Sequence, residues 1–132
     1  MATPIENIRQ DIEDNTAITV VINQWSVSTS EETLLQGLGG IGSTYPGGKT
    51  DLTVGVTSRS SIMNTARDNA IAIYDFYKNI KGYGKTLPAP DYTGGVALEV
   101  MSILPAGRPV ALQQVGDHYD WSFNLIVQFS DE

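Results

Sequence analysis

The fold is decided by residues 50–80, which read TDLTVGVTSRSSIMNTARDNAIAIYDFYKNI. In the first nine of these residues, Leu52, Val54 and Val56 alternate with polar residues or glycine, which is the period of a half-buried β-strand. From about residue 61 the apolar side chains recur at spacings of three and four. This spacing predicts an amphipathic helix whose buried stripe is Ile62, Ala66, Ala70, Ile73, Tyr77 and Ile80. A helix folded back on a strand forms a two-layer unit that needs further strands to complete its sheet.

Length and composition favour a single domain that folds without disulfide bonds. The chain has 132 residues, no cysteine and a net charge of −7. A chain of this size can bury a core of its own, and disulfide or thiol chemistry is excluded. The N-terminus lacks the pattern of a secretory signal, and no apolar run is long enough to span a membrane. The acidic balance argues against tight, sequence-independent binding of phosphates.

The charge is unevenly distributed along the chain. Residues 49–85 contain six bases and three acids, whereas the segments before and after them contain one base and six acids each. A basic middle between acidic ends would support pairing between subunits. Charges that merely solvate the surface would give the same pattern.

The remaining sequence predicts one helix and several strands. Residues 3–14 form a capped helix, with Thr3 and Glu6 as a capping box. β-Branched residues predict a strand at 17–28, and a meander of three strands is expected at 96–104, 110–115 and 120–129. Long loops are expected at about 29–49 and 82–95 because glycine and proline interrupt any period there. The expected fold class is therefore α+β, a single two-layer domain (1–132) with a mostly antiparallel four- to five-stranded sheet and two helices packed on it.

No motif for catalysis, a cofactor or a metal is convincing. Residues 37–42 match G-x-G-x-x-G, but no helix is expected after them to present its N-terminus to a phosphate. Residues 46–50 resemble the end of a P-loop, yet a strand follows them. His118 is the one histidine, and its acidic neighbours suit a hairpin turn. We therefore expect no enzyme activity, no cofactor and no metal site.

The chain resembles the tail terminator, or tail completion, proteins of long-tailed bacteriophages, which are also called minor tail proteins. The resemblance is carried by the opening helix, Ile22-Asn23-Gln24-Trp25, residues 53–59, and Ala66, Ala70 and Ile73-Tyr74 on the main helix. It continues through the strand at 96–104, Gly107-Arg108-Pro109, residues 110–115 and residues 121–125. These positions cover most of the chain in the same order, without a catalytic signature.

The resemblance implies a structural virion protein and no chemistry. Six copies would form a homo-oligomeric ring on the head-proximal end of the tail tube, stop tube growth and offer a surface to the neck of the head. The implied partners are the tail tube protein and a neck or head-completion protein. No membrane and no sequence-specific nucleic acid are implied, although DNA would pass through the ring. The implied location is the virion, at the head–tail junction, after assembly in the host cytoplasm.

A ring needs two different surfaces on each subunit, and several residues are candidates for them. Trp25 is a candidate because an aromatic on that face of its strand would pack on a helix or on a neighbouring subunit. The apolar residues of the long loop are candidates because the loop is too apolar to lie free in water. Basic residues of the middle segment, Lys78 among them, could face acidic ones near residues 31–32 or 117–120 of a neighbour. The predicted interface residues are Arg59, Arg67, Trp25, Leu38, Ile41, Tyr45, Asp117 and Asp120.

Two other functions remain open at the level of sequence. The chain could be a different head–tail connector or neck adaptor, which would bind the portal rather than the tail tube. It could also be a small-ligand-binding or enzymatic α+β domain. That function would predict a monomer or dimer with a polar pocket.

Overall fold

The elements described here come from a computed structural model, which describes residues 4–25, 31–41, 49–79, 83–91, 94–112, 114 and 116–130. Along the chain they are α1 (Pro4–Asn15), β1 (Val20–Ile22), β2 (Glu32–Ile41), β3 (Lys49–Ser60), α2 (Met63–Asn79), β4 (Tyr83–Leu87), β5 (Leu98–Pro105), β6 (Val110–Ala111) and β7 (Tyr119–Ser130). The α+β class expected from the sequence is confirmed.

The predicted unit of strand and helix is present at the centre of the fold. Val54 and Val56 of β3 are fully buried, as the alternation predicts. On α2 the buried residues are Ala66, Ala70, Ile73 and Tyr77. Ile62 was expected in the same stripe but is 61% exposed, because it precedes the first turn of the helix. Ile80 and the predicted cap Thr3 lie outside the described residues.

The sheet is larger than expected and mixed. Its seven strands follow the order β1-β2-β3-β7-β5-β4, and β6 also pairs with β7. β1 runs parallel to β2, whereas the other pairs are antiparallel. The expectation of four to five strands was therefore wrong.

Two of the additional strands lie where long loops were expected. β2 occupies most of the described part of 29–49, and its pairing with β3 shifts register between Gly37 and Gly40. β4 lies within 82–95, where Gly84 adopts a φ of 62°. Glycine lowers local strand preference at both places, so these strands form through pairing with distant residues. In the described parts of the strands expected at 17–28 and 110–115, the structure has β1 and β6.

Both helices contribute to one core. α1 contacts β1 and β2 at one end of the strand order and β4 at the other, so the sheet curls around the apolar interior. α2 packs on β3, β5 and β7 in the middle. The fully buried core side chains include Ile8, Ile12, Leu35, Val54, Val56, Ile73, Tyr77, Leu87, Ile103, Leu125 and Val127. The opposite face of the central strands has no helix against it in the described part of the chain. Among the described helices, none has the length and apolarity to cross a membrane.

Candidate functional site

Arg59 and Asp120 form the best-defined charged pair on the sheet face that points away from the core. They are direct partners in the register of β3 and β7. Arg59 Nε donates to Asp120 Oδ1 at 2.9 Å, and the second guanidinium donor reaches Oδ2 at 3.1 Å. The ring of Trp25 lies 4.0 Å from the guanidinium carbon and covers it. The hydrogen bonds to Asp120 raise the pKa of Arg59, so the guanidinium keeps its positive charge.

This pairing changes what Arg59 can do at an interface. Sequence reasoning placed Arg59 opposite an acidic residue of a neighbouring subunit, and Asp120 was one candidate. The structure joins the two within one chain, so each neutralises the other and neither leaves a free charge for a neighbour. The contact of Trp25 with Arg59 likewise uses one face of the indole within the chain. An interface role of Arg59, Asp120 and Trp25 stays a prediction.

The other predicted interface residues are scattered over the surface. Arg67 is exposed on α2, with the carboxylate of Asp68 3.2 Å away. Asp117 is exposed on the turn that leads into β7. Leu38 lies on the bare sheet face and is 55% exposed. The backbone of Ile41 belongs to β2, but its side chain and all of Tyr45 lie outside the described residues.

The bare face of the sheet is partly apolar. Leu38 lies across Gly55 so closely that a Cβ on the glycine would sit 3.2 Å from Leu38 Cδ1. Ile126 of β7, on the same face, is 40% exposed. It lines a shallow cavity of about 300 Å³ together with Ser102, Leu104, Pro105 and Gln128. Around Ile126 the face combines exposed aliphatic groups with uncharged polar ones, a composition that suits a protein contact better than a reaction.

A second concave surface lies in the helix layer. This cleft, of about 320 Å³, is lined by Ile71, Tyr74, Asp75, Lys78, Arg108 and Pro109. Four of these residues come from α2 and two from the turn between β5 and β6. The ring of Tyr74 is fixed edge-to-face against Phe123 of the core, with centroids 5.8 Å apart. The amine of Lys78 lies 5.5 Å from the centre of the same ring.

Sequence analysis missed a buried polar network that joins both helices to β4. Tyr77 Oη donates to Asp11 Oδ2 at 2.8 Å, and Lys85 Nζ lies 3.4 Å from Oδ1. Asn15 Nδ2 also donates to Asp11 Oδ1, at 3.1 Å. Burial raises the pKa of Asp11 above its ordinary value, although the hydrogen bond from Tyr77 and the charge of Lys85 oppose this effect. Burial and the Asp11 carboxylate together raise the pKa of Tyr77 well above 10.

Asn7 extends this polar side of α1 by one turn. Its amide donates to the carbonyl oxygens of Pro88 at 3.0 Å and of Val96 at 2.8 Å. These bonds hold both ends of the segment between β4 and β5 against the helix. The signal in the sequence was that Asn7 and Asp11 adjoin Ile8 and Ile12 in the buried stripe of α1. Because each polar group has partners inside the protein, the network stabilises the fold and offers nothing to a substrate.

The described residues include no group of three or more histidine, cysteine or acidic side chains that could hold a metal. His118 is half-buried beside the turn at Asp117. Comparison with protein-family models gave no match to this chain, and comparison with curated proteins gave none either. The resemblance to tail terminators therefore rests on the sequence positions given above.

Proposed function

We propose that this protein is a tail terminator, a structural protein whose copies form a ring on the head-proximal end of a phage tail tube. The ring stops tube growth and offers its other side to the neck of the head. The sequence resemblance supports this function, and the α+β fold is compatible with the fold that the resemblance implies. The work of such a protein is done by interfaces.

The observation that carries the proposal is that two separate surfaces expose apolar groups in different layers of the fold. Leu38 and Ile126 are exposed on the bare sheet face. In the helix layer, Ile62 just before α2, Met63 at its first residue and Ile71 within it are 61%, 49% and 37% exposed. A ring joins subunits head to tail, so each subunit must present two different surfaces that match. Two apolar patches on different layers meet that requirement, whereas one patch would favour a two-fold dimer.

Light scattering across a range of protein concentrations tests the oligomer. We expect a species of six copies of the 14.3-kDa chain, about 86 kDa, either alone or on the tube. Negative-stain electron microscopy should show it as a ring. A chain that stays monomeric, with and without tail tubes, would contradict the proposal.

Substitution of the sheet face tests whether that surface takes part. Ile126→Asp should prevent ring formation or binding to the tube, because it places a charge in an apolar contact. Val96→Asp is the matched control, since Val96 is 58% exposed but lies outside both patches. Equal behaviour of the two variants would remove the sheet face from the assembly. If the wild-type ring binds the portal and ignores tail tubes, the protein is a neck adaptor instead.

A further inference from the structure

The cleft between α2 and the β5–β6 turn is net positive in an acidic protein. Lys78 and Arg108 line it, and both are exposed. Asp75 is the one acidic residue among the described residues that line it, so these residues together carry one excess positive charge. The whole chain has a net charge of −7. A second copy of the chain is therefore a partner of complementary charge for this cleft.

Lys78 and Arg108 differ from the other described cations in lacking an ionic partner. Four cations have a carboxylate oxygen within 4 Å in the same chain, namely Arg9, Arg59, Arg67 and Lys85. Among the residues that the structure describes, Lys78 and Arg108 have no such contact. Lys78 lies instead near the face of Tyr74, and that ring is held by Phe123. The cleft thus combines the fixed aromatic ring of Tyr74 with two positive charges that have no ionic partner among the described residues.

The acidic group that best suits this cleft stands on a projecting turn. Gly116 adopts a φ of 58°, which allows a tight turn, and Asp117 follows it with an exposed side chain. Gln114 Nε2 donates to the carbonyl of Gly116 at 3.0 Å and braces the turn. No described residue forms a hydrogen bond or an ion pair with the Asp117 carboxylate.

The geometry of β6 keeps the turn away from the cleft of its own chain. β6 leaves Pro109, pairs through Val110 and Ala111 with β7, and is followed by the bond from Leu112 N to the carbonyl oxygen of Asp120. These three residues carry the chain about 10 Å away from the cleft. The turn at Asp117 then lies beyond the Ser60 end of β3, since Tyr119 pairs with Ser60. The projecting acid and the basic cleft therefore occupy opposite ends of β6.

We propose that the turn at Asp117 of one copy docks in the cleft of Lys78 and Arg108 on the next copy. This contact rests on the proposed ring and names the surfaces that would join its subunits. Asp117 forms ion pairs with the two cations, and the exposed Ile71 in the lining of the cleft adds apolar area. Because donor and acceptor surfaces differ, the contact repeats head to tail and generates a ring when the rotation closes.

Charge exchange in the full-length chain tests the contact. Arg108→Asp and Asp117→Arg should each weaken assembly about tenfold or more at low salt, because each replaces an attraction with a repulsion. The double variant R108D/D117R restores opposite charges and should assemble within about threefold of the wild type. Arg9→Asp and Glu99→Arg are matched controls, since they reverse charges on the surface outside the cleft and the turn, and neither residue is a predicted interface residue. Circular dichroism verifies that every variant is folded.

The outcomes separate this contact from the ring itself. Wild-type rings together with unimpaired R108D rings would overturn the contact and leave the ring standing. The contact would also be overturned if the double variant assembled no better than the weaker single variant. The same holds if the controls lost as much assembly as R108D. A wild-type chain that never assembles, alone or on tail tubes, would overturn the ring and the contact together.

Discussion

Tyr77→Phe measures how strongly the buried network fastens α1 to α2. The substitution keeps the aromatic ring in its fully buried site and removes the hydroxyl that donates to Asp11 Oδ2 at 2.8 Å. The carboxylate oxygen then loses its donor in a buried site, since Asp11 is 2% exposed. Leaving a buried acceptor without a partner costs about 1–3 kcal/mol, so we expect a loss of about 2 kcal/mol in the free energy of unfolding.

This loss converts to a measurable change in melting temperature. An unfolding entropy of about 2.1 cal/mol/K per residue gives about 0.28 kcal/mol/K for 132 residues. A loss of about 2 kcal/mol should therefore lower Tm by about 7 °C in scanning calorimetry. Tyr74→Phe is the control, because Tyr74 lies on the same helix and its hydroxyl has no hydrogen bond to a described residue. It should stay within about 0.5 kcal/mol of the wild type. Equal stability of the two variants would refute the role assigned to the Tyr77 hydroxyl.

Three further predictions concern buried polar groups. Burial raises the pKa of Asp11 above 3.8, so the folded state retains this proton more readily than the unfolded state. The free energy of unfolding of the wild type, less that of Asp11→Asn, should therefore fall as pH rises from 3.8 through the raised pKa of Asp11. A difference that grows with pH would show that the hydrogen bond from Tyr77 and the charge of Lys85 outweigh the effect of burial on this pKa. Asn7→Ala removes both bonds to the segment between β4 and β5 and should cost about 2 kcal/mol. Limited proteolysis should then cut that segment faster, whereas Gln10→Ala, which removes one exposed bond to it, should not change the rate. Arg59→Ala leaves the buried Asp120 carboxylate without its bidentate partner and should cost about 2 kcal/mol by urea unfolding, against less than about 0.5 for Arg67→Ala.

Local patterns were sufficient for the centre of the fold. The alternation of Leu52, Val54 and Val56 and the spacing along α2 are consequences of strand and helix geometry, so they can be read without knowledge of neighbours. The last strand, β7, was equally clear because apolar and polar residues alternate along it. These segments also supply much of the buried core, including Val54, Val56, Ile73, Tyr77, Leu125 and Val127, which explains why the α+β class was predicted correctly.

The missed strands depend on partners that local patterns do not contain. β2 includes Gly37, Gly39 and Gly40, which lower strand preference, and it forms because β3 pairs with it along its length. β4 has Gly84 inside it and Pro88 directly after it, and it is held by β5. Local sequence preference predicts neither strand, because each forms through pairing with a tertiary partner.

The charged surfaces were predicted only in part, because their residues also come together through tertiary contacts. Arg59 was predicted as an interface residue, but its partner Asp120 within the chain is 61 residues away and is set by the register of β3 and β7. Lys78 was noted as a cation, whereas Arg108 joins it only through the packing of the β5–β6 turn against α2. The Asp11 network likewise forms only where α1, α2 and β4 come together.

The central claim is that this chain ends the growth of a tail tube. The most direct test is the length distribution of tubes, measured by electron microscopy while the tail tube protein of the same phage polymerises with and without this protein. The proposed function predicts that tubes stop lengthening once the protein is added and that each arrested tube has a ring at one end. Tubes that continue to lengthen at the same rate, with no ring at either end, would contradict it.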